Sequence, residues 1–126
     1  MPQKTILIVE DNLISLRLIK KVLSQEGYNI LTATSAENAQ DILKEIHPDL
    51  ILMDWQLPGM DGLELTQLLK TNPATRNIFI VALTICTDVG DEEKALKAGC
   101  DSYIAKPIDV ITLPYKVASI LNRTSS

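Results

Sequence analysis

Four short runs in this 126-residue chain end in residues that can do chemistry. Ile6-Leu7-Ile8-Val9 leads into Glu10-Asp11, and Leu50-Ile51-Leu52-Met53 leads into Asp54. Ile78 to Leu83 leads into Thr84, and Ser102-Tyr103-Ile104-Ala105 leads into Lys106-Pro107. A carboxylate that ends an apolar strand is costly unless something uses it. If the four runs are parallel strands, three carboxylates, one hydroxyl and one ammonium share one rim. Carboxylates so close together repel, so they protonate, pair or bind a cation. Lys106 supplies one positive charge. A hard divalent ion relieves the rest, and Mg²⁺ suits an oxygen-lined site that keeps several waters. A carboxylate held beside Mg²⁺ and a lysine is set up to accept a phosphoryl group. The metal and the ammonium stabilise charge on the transferred oxygens, and Thr84 can donate a hydrogen bond to one of them. Asp54 is therefore the candidate nucleophile, forming an aspartyl phosphate.

Each residue alone has a plainer reading. Glu10-Asp11, ahead of Asn12, could serve only the N-terminus of the first helix, where the dipole favours negative charge. Asp54 could be a loop residue before the Pro58-Gly59 turn. Lys106-Pro107 reads as a solvated loop and Thr84 as a strand terminus. The chemistry rests on their joint placement.

The elements that must position them alternate along the chain. The runs at 6–9, 50–53 and 78–83 are short, apolar on both alternating faces and rich in β-branched residues, as suits central strands of a parallel sheet. Ile30 to Ala33 and Ser102 to Ala105 are more mixed and belong nearer the edges. Helices are expected at Leu13–Gln25, with Leu16, Ile19 and Leu23 inward and a stop at Gly27; and at Ala36–Ile46, capped by Ser35, with Ala39, Leu43 and Ile46 inward. Three more are expected at Gly62–Thr71, with Leu65, Leu68 and Leu69 inward; at Asp91–Ala98; and at Val110–Asn122. His47-Pro48 and Asn72-Pro73 close the second and third. Pro114 requires the last to start near it or to kink. Five strands alternating with five helices make an α/β doubly wound domain with right-handed crossovers. Its ligands are expected beyond the carboxyl ends of the strands.

Composition narrows the partners. The length allows one domain. A formal charge of −4 and a pI near 4.9 argue against a nucleic-acid surface. No signal peptide or membrane span is visible, and a cytoplasmic location is expected. Cys86 and Cys100 read as free thiols.

The chain resembles the CheY-like receiver domain of two-component response regulators over essentially its whole length. The resemblance is carried by Ile-Leu-Ile-Val-Glu-Asp-Asn at 6–12, Asp-Leu-Ile-Leu-Met-Asp at 49–54 and Leu-Pro-Gly-Met-Asp-Gly at 57–62. It continues through Ala-Leu-Thr at 82–84, Gly-Asp-Glu-Glu-Lys-Ala-Leu-Lys-Ala-Gly-Cys-Asp at 90–101 and Tyr-Ile-Ala-Lys-Pro-Ile at 103–108. It implies a flavodoxin-like, five-stranded parallel sheet of order 2-1-3-4-5 and a phosphoryl donor that is a sensor histidine kinase or a histidine phosphotransfer protein. It implies Asp54 as acceptor, Asp11 and Asp54 as direct Mg²⁺ ligands with the Gln56 carbonyl, and Glu10 acting through a metal-bound water. Thr84 and Lys106 would contact phosphoryl oxygens. Tyr103 would be the aromatic switch that turns inward behind Thr84, reshaping the face of the fourth helix, fifth strand and fifth helix for a downstream protein.

Several residues depart from the family pattern or tune it. Ile85 stands where a small residue is usual, so its branch could crowd the phosphoryl site or simply pack on the fourth helix. Gln56 and Cys86 lie two residues past Asp54 and Thr84, at positions that tune phosphate lifetime in this family. Cys86 has no charge to orient an attacking water, which points to slow self-dephosphorylation. Trp55 is read as shielding the pocket or as a surface-packed aromatic.

The expected protein is thus a stand-alone receiver over residues 1–126 with no output domain, not an enzyme, a monomer or a phosphorylation-dependent dimer. Met1-Pro2 reads as a native start. Gly-Cys-Asp and Glu-Asp-Asn resemble single-domain regulators of the cell-division type and hybrid-kinase receivers, so a phosphorelay intermediate or a receiver from a longer parent is the alternative. A Mg²⁺-dependent phosphatase of the haloacid-dehalogenase type would need Asp-x-Asp after the first strand. A flavodoxin-like cofactor carrier would need a Ser/Thr/Gly-rich phosphate loop there. Neither is present.

Overall fold

In the computed structural model, which describes residues 3–57, 59–60, 62–84 and 89–125, five strands alternate with five helices. The strands are β1 (Thr5–Val9), β2 (Asn29–Ala33), β3 (Leu50–Asp54), β4 (Phe79–Thr84) and β5 (Ser102–Ala105). The helices are α1 (Leu13–Ser24), α2 (Ala36–Leu43), α3 (Gly62–Thr71), α4 (Val89–Ala98) and α5 (Leu113–Leu121), with a 3₁₀ turn at Asn122–Ser125. The sheet is parallel throughout, in the order β2-β1-β3-β4-β5. The two mixed segments form its edges, as their composition requires.

The central strands bury side chains on both faces. Ile6, Ile8, Leu50, Leu52, Val81 and Leu83 pack against α1 and α5. Leu7, Val9, Ile51, Met53, Ile80 and Ala82 pack against α2, α3 and α4. Burying each large aliphatic side chain contributes about 1.5–3 kcal/mol, so the continuous apolar runs hold both helical layers on the sheet.

Helix ends follow local chemistry. Asn12 caps α1, its side-chain oxygen accepting the N–H groups of Ile14 and Ser15 at 3.0 and 3.1 Å. That role therefore falls to Asn12, leaving Glu10 and Asp11 to the rim. Ser35 caps α2 by accepting the Asn38 N–H. α2 ends at Leu43, shorter than its periodicity predicts, and Ile46 is 45% exposed instead of inward. Pro48 disfavours helical geometry at the preceding residue, and the chain leaves the helix a turn earlier. In α3, Leu68 faces outward at 47% exposure while Thr66 is fully buried, because Leu65, Thr66 and Leu69 define the inner face. α5 begins beside Pro114, whose missing N–H costs nothing in the first turn. Among the described residues, no helix is long and apolar enough to cross a membrane.

Candidate functional site

Strand register brings the rim together. On the shared face, Ile6 pairs with Leu50 and Ile8 with Leu52; the same two-residue step carries the chain to Glu10, just past β1, and to Asp54 at the end of β3. β4 and β5 pair as far as Thr84 and Ala105, and the Lys106 N–H donates to the Thr84 carbonyl at 2.8 Å. The Lys106–Pro107 peptide is cis.

Lys106 Nζ lies 3.2 Å from Glu10 Oε1, 3.3 Å from Glu10 Oε2 and 3.2 Å from Asp54 Oδ1. Glu10 is fully buried, Asp54 nearly so and Thr84 buried, whereas Asp11 is exposed. One carboxylate oxygen from each of Glu10, Asp11 and Asp54 falls in a group all within 4.8 Å of one another. The Gln56 N–H donates to Asp54 Oδ1 at 3.1 Å, while the rest of Gln56 is exposed.

These contacts divide the charges. Burial pushes the Glu10 carboxyl up to about 7, and its hydrogen bond and repulsion with Asp54 act in the same direction against Lys106. Burial also raises Asp54, but the Glu10 hydrogen bond, the Gln56 N–H and Lys106 outweigh it and hold Asp54 below its ordinary value. Burial lowers Lys106, and the two carboxylates more than restore it, leaving it raised. Asp54 is thus kept as the charged partner of a buried carboxyl pair.

The donor set fits a hard divalent cation. It offers carboxylate oxygens only, two of them buried and desolvated, and exposed Asp11 leaves a side open to water, as Mg²⁺ prefers. Three carboxylates against one ammonium also leave negative charge for a cation to neutralise.

The sequence model of the response regulator receiver domain matches residues 6–118. The chain belongs to the response regulator receiver family. The polar-differentiation response regulator DivK of Brucella ovis is 43% identical over 107 residues, covering 85% of this chain and 87% of that protein. The crystal structure of the receiver domain of a signal transduction histidine kinase from Syntrophus aciditrophicus superposes with a TM-score of 0.89 at 34% identity, covering 97% of this chain and 92% of that one. A two-component response regulator from Clostridium difficile gives 0.90 at 29% identity, covering 98% and 100%. Receiver domains are signalling proteins that interact with histidine kinases or phosphotransfer proteins and bind Mg²⁺ at an acidic pocket. In this chain Glu10, Asp11 and Asp54 form an acidic group that could hold a metal ion.

The remaining predicted residues fall in several places. Tyr103 is half-buried on edge strand β5 beside Ala82, packed against the α2–α3–α4 side of the core. Trp55 packs against the same cluster, so it is anchored inward; its indole nitrogen is buried and has no hydrogen-bond partner among the described residues. Ile85, Cys86 and Pro58 lie outside the described residues. Gly62 opens α3, as its position in the sequence predicts, and it also packs on the acidic strand end. A Cβ at Gly62 would lie 2.5 Å from the Asp54 carbonyl oxygen, so α3 starts in direct contact with the acidic strand end. The Lys70–Asp101 ion pair, 3.0 Å long, was missed by the sequence reading; its members are 31 residues apart and no local pattern links them.

Proposed function

We propose that this receiver takes a phosphoryl group onto Asp54 from a phosphohistidine and uses it to switch a protein-binding face. The observation that carries this reading is the Lys106 ammonium placed against both buried carboxylates, 3.2 Å from Glu10 and 3.2 Å from Asp54. A carboxylate oxygen of Asp54 attacks phosphorus, the P–N bond breaks, and its electron pair leaves on the imidazole nitrogen. Lys106 and the Thr84 hydroxyl would contact oxygens of the transferred group, where fixed donors stabilise developing charge. Asp11, Asp54 and the Gln56 carbonyl would hold Mg²⁺, with Glu10 acting through water. Mg²⁺ held there would supply positive charge to offset the negative charge gathered during transfer.

The switch is read as Thr84 moving toward the phosphoryl group with Tyr103 turning inward behind it. The surface of α4, β5 and α5 would then engage a downstream protein. Trp55, Gln56, Ile85 and Cys86 are assigned to tuning the lifetime of the phosphate. A DivK-like signalling role is favoured by the reach of the DivK match, 87% of that protein. A relay role, passing the phosphoryl group onward to a phosphotransfer protein, is the second reading; the resemblance of the receiver to that of a histidine kinase supports it.

A donor must approach over the open rim. Leu13, Ile14 and Leu18, at 56, 82 and 45% exposure, offer it apolar surface on α1, and Leu18 lies beside the Lys106–Ile108 segment. The direct test is acetyl phosphate with Mg²⁺ followed by intact mass measurement. One added phosphoryl group on the wild type and none on Asp54→Asn is expected. No adduct from any donor would remove the receiver activity.

A further inference from the structure

α3 carries Gly62, Thr66 and Lys70 at four-residue spacing, one above another on one side of the helix. Gly62 meets the acidic strand end. Its N–H donates to the Trp55 carbonyl at 3.4 Å, and a side chain there would strike the Asp54 carbonyl oxygen and Met53. Thr66 is fully buried; its hydroxyl donates to the Gly62 carbonyl at 2.7 Å and lies 3.9 Å from the Cys100 sulfur. Lys70 reaches the opposite end of the sheet. Its ammonium donates to Asp101 Oδ2 at 3.0 Å and to the carbonyls of Ile78 and Arg76 at 2.9 and 3.2 Å. Its stem lies so close to Gly99 that a Cβ on that residue would be 2.8 Å from Lys70 Cγ.

Asp101 sets the start of β5. Its carboxylate accepts the Ile80 N–H at 2.8 Å and its own N–H donates to the Ile80 carbonyl at 2.8 Å. Its carbonyl accepts Arg123 Nη1 at 3.0 Å, tying in the C-terminal turn. The helix therefore touches Asp54 at one end and the entry to β5 at the other. Both contacts use glycines, which let backbone approach without a cushioning side chain. Close-packed contacts of this kind transmit displacement because they do not compress.

We propose that α3 is a rigid coupler between Asp54 and the Gly99–Asp101 corner, with Lys70 as its positioning residue. The inference rests on Asp54 being the acceptor. Loading Asp54 shifts its backbone against Gly62, α3 moves as a unit, and Lys70 carries the shift to Asp101. Tyr103 follows two residues later, so β5 receives the signal along α3 independently of Thr84.

Backbone amide shifts on adding beryllofluoride with Mg²⁺ test this in wild type, Lys70→Met and Asp101→Asn. Asp101→Asn keeps an oxygen for the Ile80 N–H and removes only the ion pair, so it carries the comparison should Lys70→Met fail to fold. In wild type, Gly99 to Ser102 are expected to shift together with Thr84 and Lys106. In the variants, Thr84 and Lys106 should respond as before while the corner response falls at least about twofold, the lower range for coupling residues. An undiminished corner response in a folded variant overturns the proposal. So does a silent corner in a wild type whose Thr84 and Lys106 respond. A wild type in which nothing responds instead removes Asp54 as acceptor, and the coupler with it.

Discussion

Lys106 Nζ stands 3.2 Å from Asp54 Oδ1, although α3, β4, α4 and β5 separate the two residues in the chain. The ammonium balances charge on Asp54; on the proposed reading it would also follow that charge as it spreads onto phosphoryl oxygens. Lys106→Met should therefore lower the rate of Asp54 labelling by acetyl phosphate by about 10²-fold, the scale of losing one preorganised donor. Time-resolved intact mass measures it. Labelling at the wild-type rate would show that Lys106 serves only the folded state.

Glu10 predicts a pH dependence. Its pKa of about 7 in the fold exceeds the ordinary 4.5, so its contribution to stability is complete below about 4.5 and is lost as pH rises through about 7. Asp54, held below its ordinary 3.8, contributes above that value and loses its contribution as pH falls through the lower one. Mg²⁺ held by this group would favour the ionised form of the neighbouring Glu10 carboxyl, so its binding would release protons and strengthen as pH rises. The rise in Tm on adding Mg²⁺ should be larger at about pH 8 than at about pH 5.5. An equal gain at both would contradict a proton held on this pair.

Gly62 leaves no room for a side chain against the Asp54 carbonyl. Gly62→Ala should destabilise the fold by about 1–3 kcal/mol through overpacking, despite the better helix propensity of alanine. Urea unfolding monitored by Trp55 fluorescence reads this. A neutral or stabilising change would mean that α3 slides freely along the strand end.

Donor docking separates from chemistry on α1. Ile14→Ser and Leu18→Ser remove exposed apolar surface and touch none of the acidic group. Transfer from a phosphorylated donor protein should slow about tenfold, as for a moderate interface residue, with acetyl phosphate labelling unchanged. Equal slowing with both donors would place the defect in the acceptor site.

Much of this was legible because apolar runs and chemistry sit next to each other in the chain. Three runs specified buried strands and a fourth an edge strand, and each strand end delivered its residue to one rim, so Glu10, Asp11, Asp54, Thr84 and Lys106 could be grouped without coordinates. Boundaries were less legible. The inward stripe assigned to Ile46 and Leu68 failed because periodicity cannot say where Pro48 ends a helix or which of two neighbouring leucines faces the sheet.

The sequence by itself determined the alternation of strands and helices, the buried runs and the acidic, lysine-bearing rim, since these depend on local composition and period. Tertiary structure decided what lies beside what. Strand register placed Glu10 beside Asp54 and brought Lys106 between them; helix packing set Gly62 on the Asp54 backbone and closed Lys70 onto Asp101. Those relations depend on distances between residues far apart in the chain. They arise only when close packing and parallel hydrogen bonding select one register for the whole sheet.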